Sequence, residues 1–158
     1  MDVAVRTARA DDRPALIRLM GALNEFEAAI EDNRADASAA ESHLDWVNGE
    51  IAAQGGVTLV AEIGGSVVGF LSFAIEEDPG TFVRPEHRRH AMIWDISVDA
   101  ASRGQGVGRA LLTAAEAHAK ATGIGEIRLY VLESNARARR IYDEAGYRTY
   151  ERLMAKRI

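Results

Sequence analysis

The chain contains no cysteine, which excludes disulfides, thiolate metal sites and a cysteinyl intermediate in any group transfer. No apolar run is long enough to span a bilayer, and the N-terminus lacks a basic-then-apolar leader. Nothing therefore marks insertion or export, and a cytoplasmic location with no membrane partner is the default expectation. Only three prolines are present, and they stand where a helix would start (Pro14) or a loop would turn (Pro79, Pro85). Cations are in the minority: 19 Lys and Arg against 24 Asp and Glu leave a net charge of −5. That argues against nucleic acid, whose phosphates need clustered Lys and Arg, and it leaves room for a cationic partner. There is no internal repeat and no low-complexity tail. What is present, 158 residues of which 47% are hydrophobic, reads as one globular domain over residues 1–158 with enough apolar surface for a core.

The chain is organised around Arg103-Gly104-Gln105-Gly106-Val107-Gly108-Arg109. Before it, Ile93 to Val98 is a short, β-branched apolar run that reads as a strand. After it, Ala110 to Ala121 is rich in Ala and Leu and reads as a helix ended by Gly123. The glycines thus fall at a helix N-terminus, where N–H groups lack internal partners and a ligand can approach the main chain. Such a place suits an anion, and a pyrophosphate in particular. Two familiar phosphate loops fit poorly. A Walker loop needs Gly-Lys-Ser/Thr, but Gly108 is followed by Arg109-Ala110. A dinucleotide fingerprint needs Gly-x-Gly-x-x-Gly, and the spacing here is wrong.

Along the chain, Val3 to Thr7 alternates as a first strand. Asp11-Asp12-Arg13-Pro14 announces a helix capped by an Asp, with Leu16, Leu19, Met20, Leu23, Phe26 and Ile30 on one face. Ser38-Ala39-Ala40-Glu41 reads as a capping box opening a second helix that carries Leu44, Val47 and Ile51 inward. Val57 to Ile63, Gly64-Gly65 and Ser66 to Ile75 form a hairpin with a two-residue turn. Glu76 to His90 reads as a long charged loop. Glu126 to Leu132 is a further strand, Asn135 caps a helix from Ala136 to Glu144 closed by Gly146, and Tyr147 to Arg157 should be the last strand. The order is β-α-α-β-β-β-α-β-α-β.

Arg103, Gly106 and Gly108 match the pattern Gln/Arg-x-x-Gly-x-Gly/Ala, which resembles the coenzyme A loop of the GCN5-related N-acetyltransferase (GNAT) superfamily. Asn135, Ala138, Ile141-Tyr142 and Ala145-Gly146-Tyr147 resemble that family's second motif, Asn-x-x-Ala-x-x-(aliphatic)-Tyr-x-x-x-Gly-(aromatic). The resemblance covers nearly the whole chain and implies an α/β (α+β) single-domain fold. Its central sheet would be mixed and mostly antiparallel, with about six or seven strands flanked by about four helices. It also implies acetyl-CoA as cosubstrate, no metal, and direct transfer to a primary amine of a small molecule or an exposed protein amine. A homodimer is compatible with the family.

The resemblance further implies residue roles. The diphosphate would rest on the N–H groups from about Gly104 to Ala110, including those of Gln105, Gly106, Val107 and Gly108, with Arg103 and Arg109 adding charge. The pantetheine arm would pair with Ile96 and Val98, and Asn135 would touch it from the other side; helix capping alone also explains Asn135. Tyr142 would protonate the departing thiolate, and core packing is its plain alternative. Asp95, a charge inside an apolar strand, is a candidate base. Histone-type members carry a glutamate on this strand where Met92 stands, so that base does not transfer. Asn24-Glu25-Phe26-Glu27 and Trp94-Asp95 distantly resemble polyamine and diamine acetyltransferases, which makes Glu25, Glu27 and Trp94 candidate acceptor contacts. Glu31, Asp32, Asp36, Glu76, Glu77 and Asp78 could complete an acidic rim, or simply be solvated. Two loop histidines, His87 and His90, fall short of a metal site, and His43 and His118 read as ordinary helix residues. A noncatalytic acyl-CoA sensor is the alternative to an enzyme.

Overall fold

The computed structural model describes residues 2–158. Five strands form one sheet in the order β1-β2-β3-β4-β5: β1 (Ala4–Thr7), β2 (Val57–Ile63), β3 (Ser66–Glu77), β4 (Arg89–Val98) and β5 (Ile127–Leu129). The first three pairings are antiparallel, and β4 and β5 run parallel. The helices are α1 (Arg13–Ile30), α2 (Ala40–Ala53), the single turn α3 (Pro85–Arg88), α4 (Val107–Ala121) and α5 (Ala136–Glu144).

Strand alternation divides the core between the two faces of the sheet. Leu59, Leu71, Phe73, Ala91 and Ile93 pack against Leu111, Leu112 and Ala115 of α4, joined by Tyr142 of α5. On the opposite face Val60, Phe70 and Ala74 meet Leu16, Leu19 and Met20 of α1 with Leu44, Val47 and Ile51 of α2. The spacings that marked these helices as amphipathic are the ones they bury.

Four sequence expectations are corrected. The sheet has five strands rather than six or seven, because residues 147–158 form none. In that segment Tyr150, Leu153 and Met154 are exposed, and Tyr150 lays its ring over the Arg128 guanidinium, 4.9 Å from the centroid. A last strand would need a template, and β5 offers only three residues. The charged stretch Glu76 to His90 is mostly not loop. β3 and β4 take in its two ends, with Glu76 opposite His90 and Glu77 opposite Arg89, since an antiparallel neighbour satisfies the backbone whatever the side-chain charge; Pro85–Arg88 is a helical turn, and only residues 78–84 are loop. Ser38 does not open α2; it lies in a 3₁₀ turn, Ala37–Ala39, capped by Asp36, whose carboxylate accepts the Ser38 N–H. Asp12 makes no side-chain cap on α1. Its carboxylate accepts the Arg9 N–H at 2.6 Å and the Arg6 guanidinium at 2.7 Å, and the latter contact holds it below the usual carboxylate range.

The Gly64-Gly65 hairpin turn forms as expected, both residues having positive φ. A second glycine is fixed by space. A Cβ on Gly56 would lie 2.0 Å from the Phe73 carbonyl oxygen and 2.7 Å from Ala74 Cα, whereas one on Gly49, in mid-α2, would meet nothing. Gly56→Ala is therefore expected to lower unfolding free energy by about 2–4 kcal/mol. Gly49→Ala should raise it by about 0.5–1 kcal/mol. Urea titration of the two variants checks this, and equal midpoints would refute the packing at the β2 entrance.

Candidate active site

The glycine loop sits as a helix N-terminus over the end of β4. Gly104 and Gly106 have φ of 76° and 81°, a region that L side chains resist. Gly106 is the residue preceding α4, and the first bond of that helix is Ala110 N–H to Gly106 C=O at 2.9 Å. The amides of Val107, Gly108 and Arg109 thus lie ahead of the helical ladder, at its positive end. Val107 is buried, its side chain packed in the α4-side core, and this anchors the start of the helix. Gln105 Nε2 donates to the Ala101 carbonyl at 3.2 Å and Arg103 Nε to the Val98 carbonyl at 3.3 Å. Arg103 thereby ties the loop to the strand; burial pulls its pKa down, and Arg137 adds to that. Arg109 is exposed.

The second feature is an incomplete ladder. β5 pairs with β4 only at Ala91, Met92 and Ile93, while β4 runs on to Val98. Asp99 N–H donates to Val68 on β3, so by alternation the polar groups of Val98 and Ile96 point away from β3, toward the edge that β5 has left. An extended amide-bearing chain can add there as a strand does.

A bulge in β4 then sets which way Asp95 faces. The register shifts between Ser72, opposite Asp95, and Phe73, opposite Ile93, leaving Trp94 as the extra residue. Before the bulge Ala91 and Ile93 face α4; after it Ile96 and Val98 do. Asp95 and Ser97 are thereby turned toward α1 and α2, where Ser97 Oγ donates to the Leu19 carbonyl and Asp95 Oδ1 lies 3.9 Å from His43 Nε2. Unbroken alternation would have placed Asp95 in the α4 core.

Around Asp95 the elements bring together Glu27 of α1, His43 and Trp46 of α2, Trp94 of β4 and, sharing the field of Glu27, Tyr142 of α5. The Asp95 side chain is only 9% exposed, and its pKa is pushed up to about 7, first by burial and then by Glu27. Burial likewise lowers the His43 pKa against the opposing pull of Glu27. Tyr142 is pushed up to about 12 by burial, with Glu27 adding to it. Its ring packs in the core beside Tyr147, yet its hydroxyl makes no hydrogen bond among the described residues. Trp94 stacks obliquely on Trp46, centroids 5.1 Å apart, and donates its indole N–H to Glu76 at 2.8 Å.

The other candidates sort differently. Asn135 caps α5, its Oδ1 accepting the Ala138 N–H at 3.1 Å, which leaves the amide nitrogen free. Glu25 is turned away and accepts the Ala37 N–H at 3.2 Å. Much of the supposed acidic rim is occupied: Asp78 pairs with Arg128, Asp32 with Arg157, and Asp36 caps its turn. His118 is an ordinary helix residue, edge-on to Phe73. His43 is not, and sequence reasoning missed it together with Asn24, whose Oδ1 is 3.0 Å from His43 Nδ1. The available signal was the i, i+3 pair His43 and Trp46, which shares a flank beside the Leu44–Val47 stripe. No group of three metal-ligating side chains occurs among the described residues, and no helix there is long and apolar enough to cross a membrane.

A sheet whose parallel pair parts beside a glycine-rich helix N-terminus is the architecture of an N-acetyltransferase. Residues 20–147 match the Acetyltransferase (GNAT) family model, and the chain belongs to that family. Solved structures agree in fold. A GCN5-related N-acetyltransferase from Ralstonia eutropha JMP134 is 24% identical over 99% of both chains, with a TM-score of 0.75. A predicted acetyltransferase from Clostridium acetobutylicum, solved with acetyl-CoA, is 19% identical over 99% of this chain and 96% of that one, TM-score 0.74. The aminoglycoside 6'-N-acetyltransferase of Acinetobacter haemolyticus is 17% identical over 98% and 99%, TM-score 0.71. No curated protein matches the chain in sequence.

Proposed function

We propose that this chain transfers an acetyl group from acetyl-CoA directly to a primary amine, with Asp95 as base and Tyr142 as the acid for the leaving thiolate. The observation that carries the reading is the unpaired edge of β4, which runs from the glycine loop to Asp95. The diphosphate rests on the amides leading into α4, and the pantetheine amides pair with Ile96 and with the N–H of Val98, whose carbonyl Arg103 already holds. The thioester then lies between Asp95 and Tyr142, with a β4 N–H as donor to its oxygen. Asn135 offers its free amide nitrogen from α5.

The acceptor arrives as an ammonium ion, which cannot attack. Asp95, poised near neutrality, takes one proton, and the neutral amine adds to the thioester carbonyl. The carbon–sulfur bond breaks, the thiolate is protonated through Tyr142, and the nitrogen gives up its second proton to restore the phenol. Ammonium and acetyl-CoA become amide, free thiol and one released proton. Glu27, Asp95 and the pair of exposed Trp46 on half-buried Trp94 favour a small acceptor carrying positive charge, polyamines included.

Two measurements test the assignment together. Calorimetry should detect acetyl-CoA binding to the parent chain and at least about tenfold weaker binding to Gly106→Val, because a β-branched side chain resists positive φ. A Cβ there meets no neighbour, so the fold should persist. Thiol release with acetyl-CoA should then appear with some member of a panel of polyamines, amino acids, aminoglycosides and peptides. Equal affinity of the two chains would move the diphosphate elsewhere. Tight binding without release across the panel would favour a sensor.

A further inference from the structure

The carboxylate that receives the amine proton is almost closed to solvent. Asp95 is 9% exposed at its side chain, yet each turnover releases a proton that must leave before Asp95 can act again. Beside it, 3.9 Å from Asp95 Oδ1, is the Nε2 of His43, whose side chain is 33% exposed and so reaches both the carboxylate and water. We propose that His43, held in one tautomer by Asn24, carries the proton that Asp95 takes from the acceptor out to solvent. The inference rests on the enzymatic reading above and adds a residue to it.

Asn24 is buried in α1, and its Oδ1 lies 3.0 Å from His43 Nδ1. An amide oxygen only accepts, so Nδ1 carries the ring proton, and the lone pair of the neutral imidazole is on Nε2. Nε2 is the atom that faces Asp95 Oδ1, at 3.9 Å. A side-chain rotation that closes the gap by about 1 Å makes the hydrogen bond through which the proton passes. The Asp95 O–H bond breaks as the Nε2–H bond forms, and Nε2 then turns back from Asp95 and gives that same proton to a water on the exposed side of the ring, while the Nδ1–H stays on Asn24.

The ring does not keep the proton, because its partly buried position disfavours the charged form. The charged or titratable groups facing the pair are Glu27 from α1 and, within reach of the same carboxylate, Tyr142 from α5; Trp46 and Trp94 supply aromatic walls. The Asn24 Nδ2 group is buried without a hydrogen-bond partner among the described residues. An unpartnered buried donor is destabilising, a cost that an apolar residue at this position would avoid. The amide is therefore better explained by its hold on His43 than by packing.

The test has two arms. In the first, the ¹⁵N shifts of His43 are followed with pH in the parent chain and in Asp95→Asn. A step near pH 7, reporting ionisation of Asp95 and lost in the variant, supports the pair; no step, or a step that survives the substitution, overturns it. In the second, kcat is measured by thiol release with the panel amine that reacts fastest. His43→Ala should lose about ten- to a hundredfold with unchanged acetyl-CoA affinity, and imidazole buffer should restore it in proportion to free base. His43→Gln keeps a hydrogen bond to Asn24 and should lose as much without being rescued. An unaltered kcat, or equal rescue by imidazole and by a non-titrating buffer of the same size, overturns the relay. Should no amine react while the ¹⁵N step is present, the enzymatic reading falls and the relay falls with it, leaving only the paired groups.

Discussion

Replacing Tyr142 with phenylalanine is expected to lower kcat about a hundredfold and to leave the affinity for acetyl-CoA unchanged. The size follows from the environment of the phenol. Burial and Glu27 push its pKa up to about 12, so it is protonated at neutral pH, as an acid must be. It is then a weaker acid than a thiol, whose ordinary pKa is about 8.5, and full transfer to the thiolate is uphill in the free protein. The reaction supplies what is missing: the tetrahedral adduct carries a positive nitrogen beside the phenol, which opposes Glu27 and lowers the pKa as the carbon–sulfur bond breaks. In the proposed mechanism Tyr142 would therefore hydrogen-bond the developing thiolate first and yield its proton late, which places the expected effect near the lower end of general-acid contributions of ~10² to 10⁴. The ring stays in the core beside Tyr147 and the substitution removes only the hydroxyl, so binding should be spared. Steady-state rates and calorimetry on Tyr142→Phe decide the matter; a kcat equal to that of the parent removes Tyr142 from the chemistry.

Asp95→Asn is expected to lower kcat/KM by ~10² to 10⁴ at neutral pH and to abolish the rise in rate centred near pH 7. The same substitution should change stability, with a sign fixed by linkage. The folded chain holds the Asp95 proton up to about pH 7, whereas the unfolded chain releases it near the ordinary value of 3.8. Between those limits the native state binds more protons, so the parent loses stability as pH rises through the window. Below about pH 4 parent and variant should unfold alike on this account. Above pH 7 the amide, which has no charge to bury, should make the variant more stable by up to about 4 kcal/mol. Thermal melts at acid and at mildly alkaline pH measure the difference. A variant less stable than its parent at pH 8 would mean that Asp95 is paired in the folded state rather than buried against Glu27.

The glycine loop and the α5 motif were legible because their chemistry is local. Gly106 must take a positive φ to start α4, and Asn135 must sit three residues before the amide it caps, so both leave a fixed spacing in the chain. The amphipathic faces of α1 and α2 and the Gly64-Gly65 hairpin were legible for the same reason. The strand extensions through Glu76 and His90 were not, since charge suggests a loop until a neighbouring strand is there to pair. His43 stayed hidden because the groups it faces are remote in the chain: Asn24 and Asp95 lie 19 and 52 positions away.

The sequence by itself determined the family motifs and the glycine-led start of α4, since each depends on dihedrals and spacings within a short segment. The tertiary structure alone decided that Asp95 faces α1 and α2, that β4 keeps an open edge beyond Ile93, and that Glu25 turns away while His43 turns in. These depend on a bulge whose existence is set by pairing between strands and on helices brought together by burial of distant faces, and no local pattern encodes either.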